Sequence, residues 1–300
     1  IPDGVICCGK WNSLKINALK LIEQYGKKNM IGISLGMPGP YIRTNMDKGQ
    51  ELIIVSDFEQ LSNVNVHKEL EKALELPVMS EHDEKLSAYA EWRNAEEAKM
   101  GKNTSLIALG SVGIGIGAGI IINGKIVEGQ LGIAGEIGHM GINYNGKRVK
   151  NQYQSTFEYC AGTESAVRYM HERLYEFPDS ILTEDSKYHD IVNAYKKEDP
   201  LAIYAMEKMA WMLGYGISNI IYIINPDCII LEADYPDLEP FLDKVQQSVK
   251  QFVHPFILEN VSIRFSRLSE DSILLGGYYF VLDKLFKKNL FLDLIRQAID

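Results

Sequence analysis

The chain has 300 residues, 46% hydrophobic and 24% charged, with a net charge of −9. This is a globular composition, long enough for one large or two modest cores, and without a long basic run it is a poor candidate for gripping nucleic acid by itself. No apolar stretch reaches the roughly 20 residues that span a bilayer, so no membrane partner is expected.

In chain order, "DGVICC" reads as a turn and a strand, and "NSLKINALKLIEQYG" as an amphipathic helix with Asn12 as its N-cap and Gly26 as its stop. "MIGISLGMPGPY" is a β-branched strand broken at Gly36 before a Pro38-Gly39 turn. Helices are expected near Val66–Leu74 and His82–Ala98. "SLIALGSVGIGIGAGIIINGKIVEG" reads as two strands, with Asn123-Gly124 as the tight turn of a hairpin. A long helix follows at about Pro200–Ile221, then the strand "CIILEA", a helix near Asp237–Phe252, the strand "VSIRFS" and a helix near Asp271–Leu285. "NLFLDLIRQAID" closes the chain as a short amphipathic helix. Strands alternating with helices imply α/β layers. Two such units in series imply a ligand cleft between them.

Cys7, Cys8, Cys160 and Cys228 form no CxxC pair and no metal-ligand spacing, which fits a reducing, cytoplasmic setting. The chain opens on Ile1 with no signal-peptide pattern and reads as a fragment or a processed product.

The glycine density of "GIGAGIIINGKIVEGQLGIAGEIGHM" invites a phosphate-loop reading. A dinucleotide fingerprint needs its glycines to open a helix, and here a strand and a hairpin follow. A Walker loop needs a following Lys-Ser/Thr, which is absent. Glycines that merely let two elements approach closely are the plain alternative.

This stretch resembles the segment shared by ROK proteins: repressors, open reading frames and sugar kinases. "MIGISLGMPGP", "LPVMSEHDEKLSAYAE" and "INPDCIILEA" resemble further segments of that family, over nearly the whole chain. The resemblance implies an α/β, actin-like (ribonuclease-H-like) two-lobe fold of the sugar kinase/ROK type. It divides the chain into a smaller lobe, 1–103 plus 285–300, and a larger one, 104–284.

It also divides the candidate residues into a sugar side and a nucleotide side. On the sugar side stand Glu136 and His139, Glu158 in "TFEYCAG", and Asp83, the family's general base in its kinases. Carboxylates suit this work because each accepts two hydroxyl protons. Taken alone, a Glu or Asp is more often solvated surface, and a His a packed core residue. His82 and Asp57 stand where the family has Asn, which changes the donor and acceptor count and leaves the sugar's identity open. The nucleotide side is represented by Gly115, Gly117 and Gly119. Its phosphate-binding Thr is Ile114 here, and its late Gly-Gly is Glu232-Ala233. The family's three zinc-binding cysteines fall on Val149, Asn151 and Thr156, so no structural zinc is expected.

The resulting expectation is the effector domain of a ROK transcriptional regulator that binds a sugar or sugar phosphate. It would form a homodimer and meet DNA through an N-terminal helix-turn-helix domain outside this chain. No cofactor is expected in that reading. The alternatives are an ATP- and Mg-dependent sugar kinase and a non-catalytic interaction module.

Overall fold

Leu106, Ile107, Ala108 and Leu109 are completely buried, as are Cys228, Ile229, Ile230 and Leu231. Unbroken apolar runs of this kind belong to strands covered on both faces, not to half-exposed strands that alternate. The computed structural model describes residues 11–37, 41–44, 50–53, 66–95, 105–112, 115–149, 152–232, 234–268 and 271–287.

The elements run α1 (Trp11–Tyr25), β1 (Ile33–Met37), β2 (Tyr41–Thr44), β3 (Gln50–Ile53), α2 (Val66–Leu74), β4 (Val78–His82) and α3 (Asp83–Asn94). Then come β5 (Ser105–Val112), β6 (Gly115–Ile122), β7 (Lys125–Ile126), β8 (Arg148–Val149), β9 (Gln152–Tyr153), α4 (Phe157–Ala161), α5 (Thr163–Arg173) and α6 (Tyr188–Tyr195). The chain continues through α7 (Pro200–Ile224), β10 (Cys228–Leu231), α8 (Glu239–Phe252), α9 (Pro255–Leu258), β11 (Ser262–Phe265) and α10 (Ser272–Lys287). The expected first strand and final helix lie outside the described residues.

Contacts divide the chain into one unit of 1–98, 126–134 and 270–300, and a second of 99–125 and 135–269. The expected boundary at 285 falls inside α10, which belongs with the first unit. Its Gly276 lies so close to α3 that an added Cβ would meet the Leu86 carbonyl oxygen at 1.8 Å.

In the first unit, β1 and β4 pair in parallel, Ile33 opposite Val78 through Met37 opposite His82. Met37, Val66, Leu70, Leu74 and Val78 form a core onto which α1 packs Leu14, Ala18 and Ile22. α1 begins at Trp11, so Asn12 lies inside the helix and is not its cap. Gly26, at φ +80°, ends it as expected.

The second unit is built on a five-stranded sheet of order β11-β10-β5-β6-β7. The stretch expected to form one long strand before Asn123-Gly124 folds back on itself. β5 and β6 pair antiparallel from Ser105 opposite Ile122 to Val112 opposite Gly115. Eighteen residues exceed an ordinary strand, and reversal lets both halves pair in one sheet. Asn123 and Gly124 both have positive φ, 53° and 72°, the backbone of the expected two-residue turn. The long helix α7 starts where Asp199 accepts the backbone N–H groups of Leu201 and Ala202, with Pro200 in its first turn. It ends at Ile224, three residues later than expected, with Asn225 in the left-handed region as its cap.

Candidate functional site

Glu136, His139 and Glu158 converge in the second unit. His139 Nδ1 lies 3.4 Å from Glu158 Oε1, and its Nε2 lies 3.9 Å from Glu136 Oε2. Both carboxylate side chains are 24% exposed and the imidazole 62%, so the cluster is open to a solute.

Two anchors position it. The first is backbone against backbone. Ala118 of β6 donates its N–H to the Gly135 carbonyl at 2.9 Å. A Cβ on Gly135 would sit 2.0 Å from the Ala118 carbonyl oxygen, and one on Gly138 would sit 2.4 Å from that of Ile116. The glycines of "GEIGH" therefore let this segment lie directly on β6. The second anchor is α4. Its Phe157 is fully buried with the ring against Gly216 of α7, and its N–H donates to the Met140 carbonyl at 2.8 Å. Glu158, the next residue, is thereby held facing Gly138 and His139.

The hydrogen bond to Glu158 is the main reason the His139 pKa is raised above its ordinary value. Partial burial opposes this, and the charges of Glu158 and Glu136 add to it. A raised folded-state pKa means that the protonated pair stabilises the fold fully below the unfolded value of about 6.5, and that this is lost as pH rises through the folded value. An exposed pair of this kind contributes at most about 1 kcal/mol. The difference in melting temperature between wild type and His139→Gln is therefore expected to be largest near pH 5.5 and to shrink toward pH 9. A difference independent of pH across that range would contradict the pairing.

His82 and Asp83 belong to the first unit. His82 ends β4 and is buried, and Asp83 opens α3. His82 Nδ1 lies 3.1 Å from Asp83 Oδ1, which also accepts the Glu84 N–H at 2.9 Å. Nearby, Lys85 is 2% exposed and donates to the Gly132 carbonyl at 2.5 Å, with Glu81 Oε1 at 4.0 Å. This tie holds the loop preceding "GEIGH", and sequence reasoning missed it. Asp57 lies outside the described residues.

Gly115, Gly117 and Gly119 lie in β6, opposite Val112, Gly110 and Ala108. Gly117 and Gly119 do not have the positive φ of a glycine turn. Ile114 and Ala233 lie outside the described residues. The Glu232 N–H pairs with the Leu109 carbonyl at 2.9 Å. Just beyond, Asp234 Oδ2 accepts the Ser111 N–H at 3.0 Å. Two acidic residues thus follow β10, and one carboxylate occupies a backbone donor at the end of β5.

The segment where zinc cysteines would stand is held by backbone bonds. Ile142 and Asn143 both donate to the Ser155 carbonyl, at 2.7 and 3.1 Å, and Gln154 donates to that of Lys147 at 3.0 Å. Arg148 pairs with Tyr153 and Val149 with Gln152. Thr156, an expected cysteine position, donates its hydroxyl to the Tyr153 carbonyl at 2.9 Å. Among the described residues no group of three His, Cys, Asp or Glu side chains is arranged to hold a metal ion. Nor is any described helix long and apolar enough to cross a membrane.

The family model of the ROK family matches residues 14–284. The chain belongs to the ROK family. A glucokinase of Halalkalibacterium halodurans is 29% identical over 85% of this chain and 77% of its own length. A xylose repressor of Bacillus spizizenii is 25% identical over 89% of this chain. The chain spans only 63% of that repressor's length. Among solved structures, a ROK family transcriptional regulator described as a homologue of the E. coli MLC protein superposes with a TM-score of 0.80 at 22% identity. It covers 95% of this chain and 71% of its own. The fold of this ROK chain is accordingly the actin-like (ribonuclease-H-like) α/β fold of the family's sugar kinases and regulators.

Proposed function

We propose that this ROK chain binds a sugar at Glu136, His139 and Glu158 and acts as the sugar-sensing domain of a transcriptional regulator. The observation that carries the sugar reading is the convergence of two half-buried carboxylates on one imidazole, set rigidly on β6. Four carboxylate oxygens and a switchable ring nitrogen suit vicinal hydroxyls, which both donate and accept. The sensing reading is supported by the acidic pair after β10 and by the Ser111 amide, which is already bonded to Asp234. A sensor needs only a conformational equilibrium that the sugar biases, and DNA contact would come from a helix-turn-helix domain outside these residues. A homodimer would match a two-fold symmetric operator.

One observation favours the kinase alternative. Asp83 is a partly exposed carboxylate at the first position of α3, close to His82, and is a reasonable general base. A kinase would require ATP and Mg, the first supplying the phosphoryl group and the second shielding its charge.

The test is a melting-temperature panel of neutral sugars and sugar phosphates with and without ATP–Mg, run beside a phosphorylation assay. A regulator domain is expected to be stabilised by a sugar, with no further shift from ATP and no product. Phosphorylation that disappears in Asp83→Asn would establish the kinase instead. A flat response to every sugar would leave an interaction module.

A further inference from the structure

The chain passes from the first unit to the second between Ala134 and Gly135, just before Glu136. Residues 126–134 pack with the first unit, and the sugar cluster follows in the second. The direction in which the chain reaches Glu136 therefore depends on how this loop is held.

The loop's own side chains hold it weakly. Leu131 and Ile133 are 44% and 38% exposed, so they bury little apolar surface. Gly129 and Gly132 stand at φ +72° and +80°, and glycine has the most backbone freedom to lose. The Ala134 N–H donates to the Glu128 carbonyl at 3.1 Å, a bond that closes the loop on itself.

Lys85 supplies a tie from outside the loop. Its ammonium reaches from α3 to the carbonyl of Gly132, itself buried, at 2.5 Å. Glu81 Oε1 stands at 4.0 Å, so of these two acceptors the loop carbonyl is the nearer. Burying a charge at 2% exposure is costly, and an apolar side chain of the same length would fill the space without that cost. What the charge gives in return is a strong, directed hydrogen bond to one point of the loop. That point lies three residues before Gly135. Lys85 also stands two residues after Asp83 on α3, so one side chain ties the helix of Asp83 to the segment that leads into Glu136.

We propose that Lys85 is a positioning residue for the sugar cluster. Pinning Gly132 fixes the entry into Gly135, and so keeps Glu136 and His139 aligned with Glu158. Lys85 acts through the loop and not on the sugar. The proposal rests on the sugar reading of the cluster, and the experiment separates the two.

The full chain is titrated calorimetrically with glucose, mannose, galactose and xylose. Lys85→Met keeps the length and loses the donor, and is expected to bind the best-bound sugar about tenfold more weakly. Lys85→Arg keeps a charged donor and is expected to stay within about threefold of wild type. Leu70→Ala, in the core beneath α1, is expected to lower the melting temperature and leave affinity unchanged. Without sugar, the Ala134 amide is expected to exchange its hydrogen about tenfold faster in Lys85→Met than in wild type. Linkage requires the reverse effect as well, so saturating sugar should slow that exchange in the wild type, a measurement that needs no variant. Lys85→Met within twofold of wild-type affinity, or Lys85→Arg as weak as Lys85→Met, overturns the positioning role. Leu70→Ala weakened as much as Lys85→Met makes the loss one of general damage and overturns it too. So does Ala134 exchange that neither Lys85→Met nor sugar alters. No binding of any of the four sugars by the wild type overturns the cluster reading, and the exchange comparison without sugar still decides whether Lys85 holds the loop.

Discussion

Gly135→Ala is expected to remove sugar binding and to lower the melting temperature by several degrees. Two independent penalties act at this position. Its φ of +105° is one that residues with a side chain rarely adopt, a cost of order 1–3 kcal/mol. Its added Cβ would also sit 2.0 Å from the Ala118 carbonyl oxygen. That neighbour is backbone in the middle of a paired strand, so it has no free rotation with which to yield. The segment must lift from β6, which breaks the Ala118 N–H to Gly135 carbonyl bond and carries Glu136 and His139 away from Glu158. A total near 3 kcal/mol corresponds to a shift of roughly 6–12 °C for a domain of this size. Calorimetric unfolding together with a sugar titration measures both effects. A variant that keeps both its melting temperature and its affinity would show that this close approach is not what positions the site.

This result bears on what the sequence made legible. The glycine-rich stretch was readable as a dense run, with close approach as one reading, but not which glycines make it. A strand glycine and a loop glycine look alike in sequence, and only the packing of Gly135 on Ala118 and Gly138 on Ile116 separates their tasks. Local signals held at several points, although Asn12 does not cap α1. Asp199-Pro200 opens α7, Asn123-Gly124 closes a hairpin, and the apolar period of Val66–Leu74 gives α2 at those same residues. The reversal between β5 and β6 was missed because apolar and glycine residues continue through it without a polar break.

The bonds that shape the site's surroundings span long separations. Ser111 meets Asp234 across 123 residues, and Lys85 meets Gly132 across 47. No periodicity encodes such pairs. Each joins a side chain to a backbone group whose direction depends on the finished sheet or loop. The same holds where zinc ligands were expected to be lacking at Val149, Asn151 and Thr156. Sequence reasoning offered no substitute there, because a ladder of backbone bonds from Ile142, Asn143 and Gln154 leaves no residue-type signature.

Glu158→Ala is expected to weaken sugar binding by tenfold to a hundredfold. Hydrogen bonds to a charged group contribute about 1.5–3 kcal/mol, and each 1.4 kcal/mol is a factor of ten in affinity. Glu158 is also the partner that fixes His139, so its loss removes one ligand group and frees another. Glu158→Gln separates these roles. It keeps the shape of the side chain on α4 but loses the charge that, with its hydrogen bond, raises the His139 pKa. That pKa should fall back toward its ordinary value, and the pH dependence predicted for the wild type should flatten. Sugar titrations of both variants at pH 6 and pH 8, with melting temperatures from pH 5.5 to pH 9, test the pair of claims. A Gln variant that binds sugar as tightly as wild type at both values would remove Glu158 from the site. One that binds weakly but keeps the full pH dependence would mean that Glu136, 3.9 Å from the ring, and not Glu158, governs the imidazole.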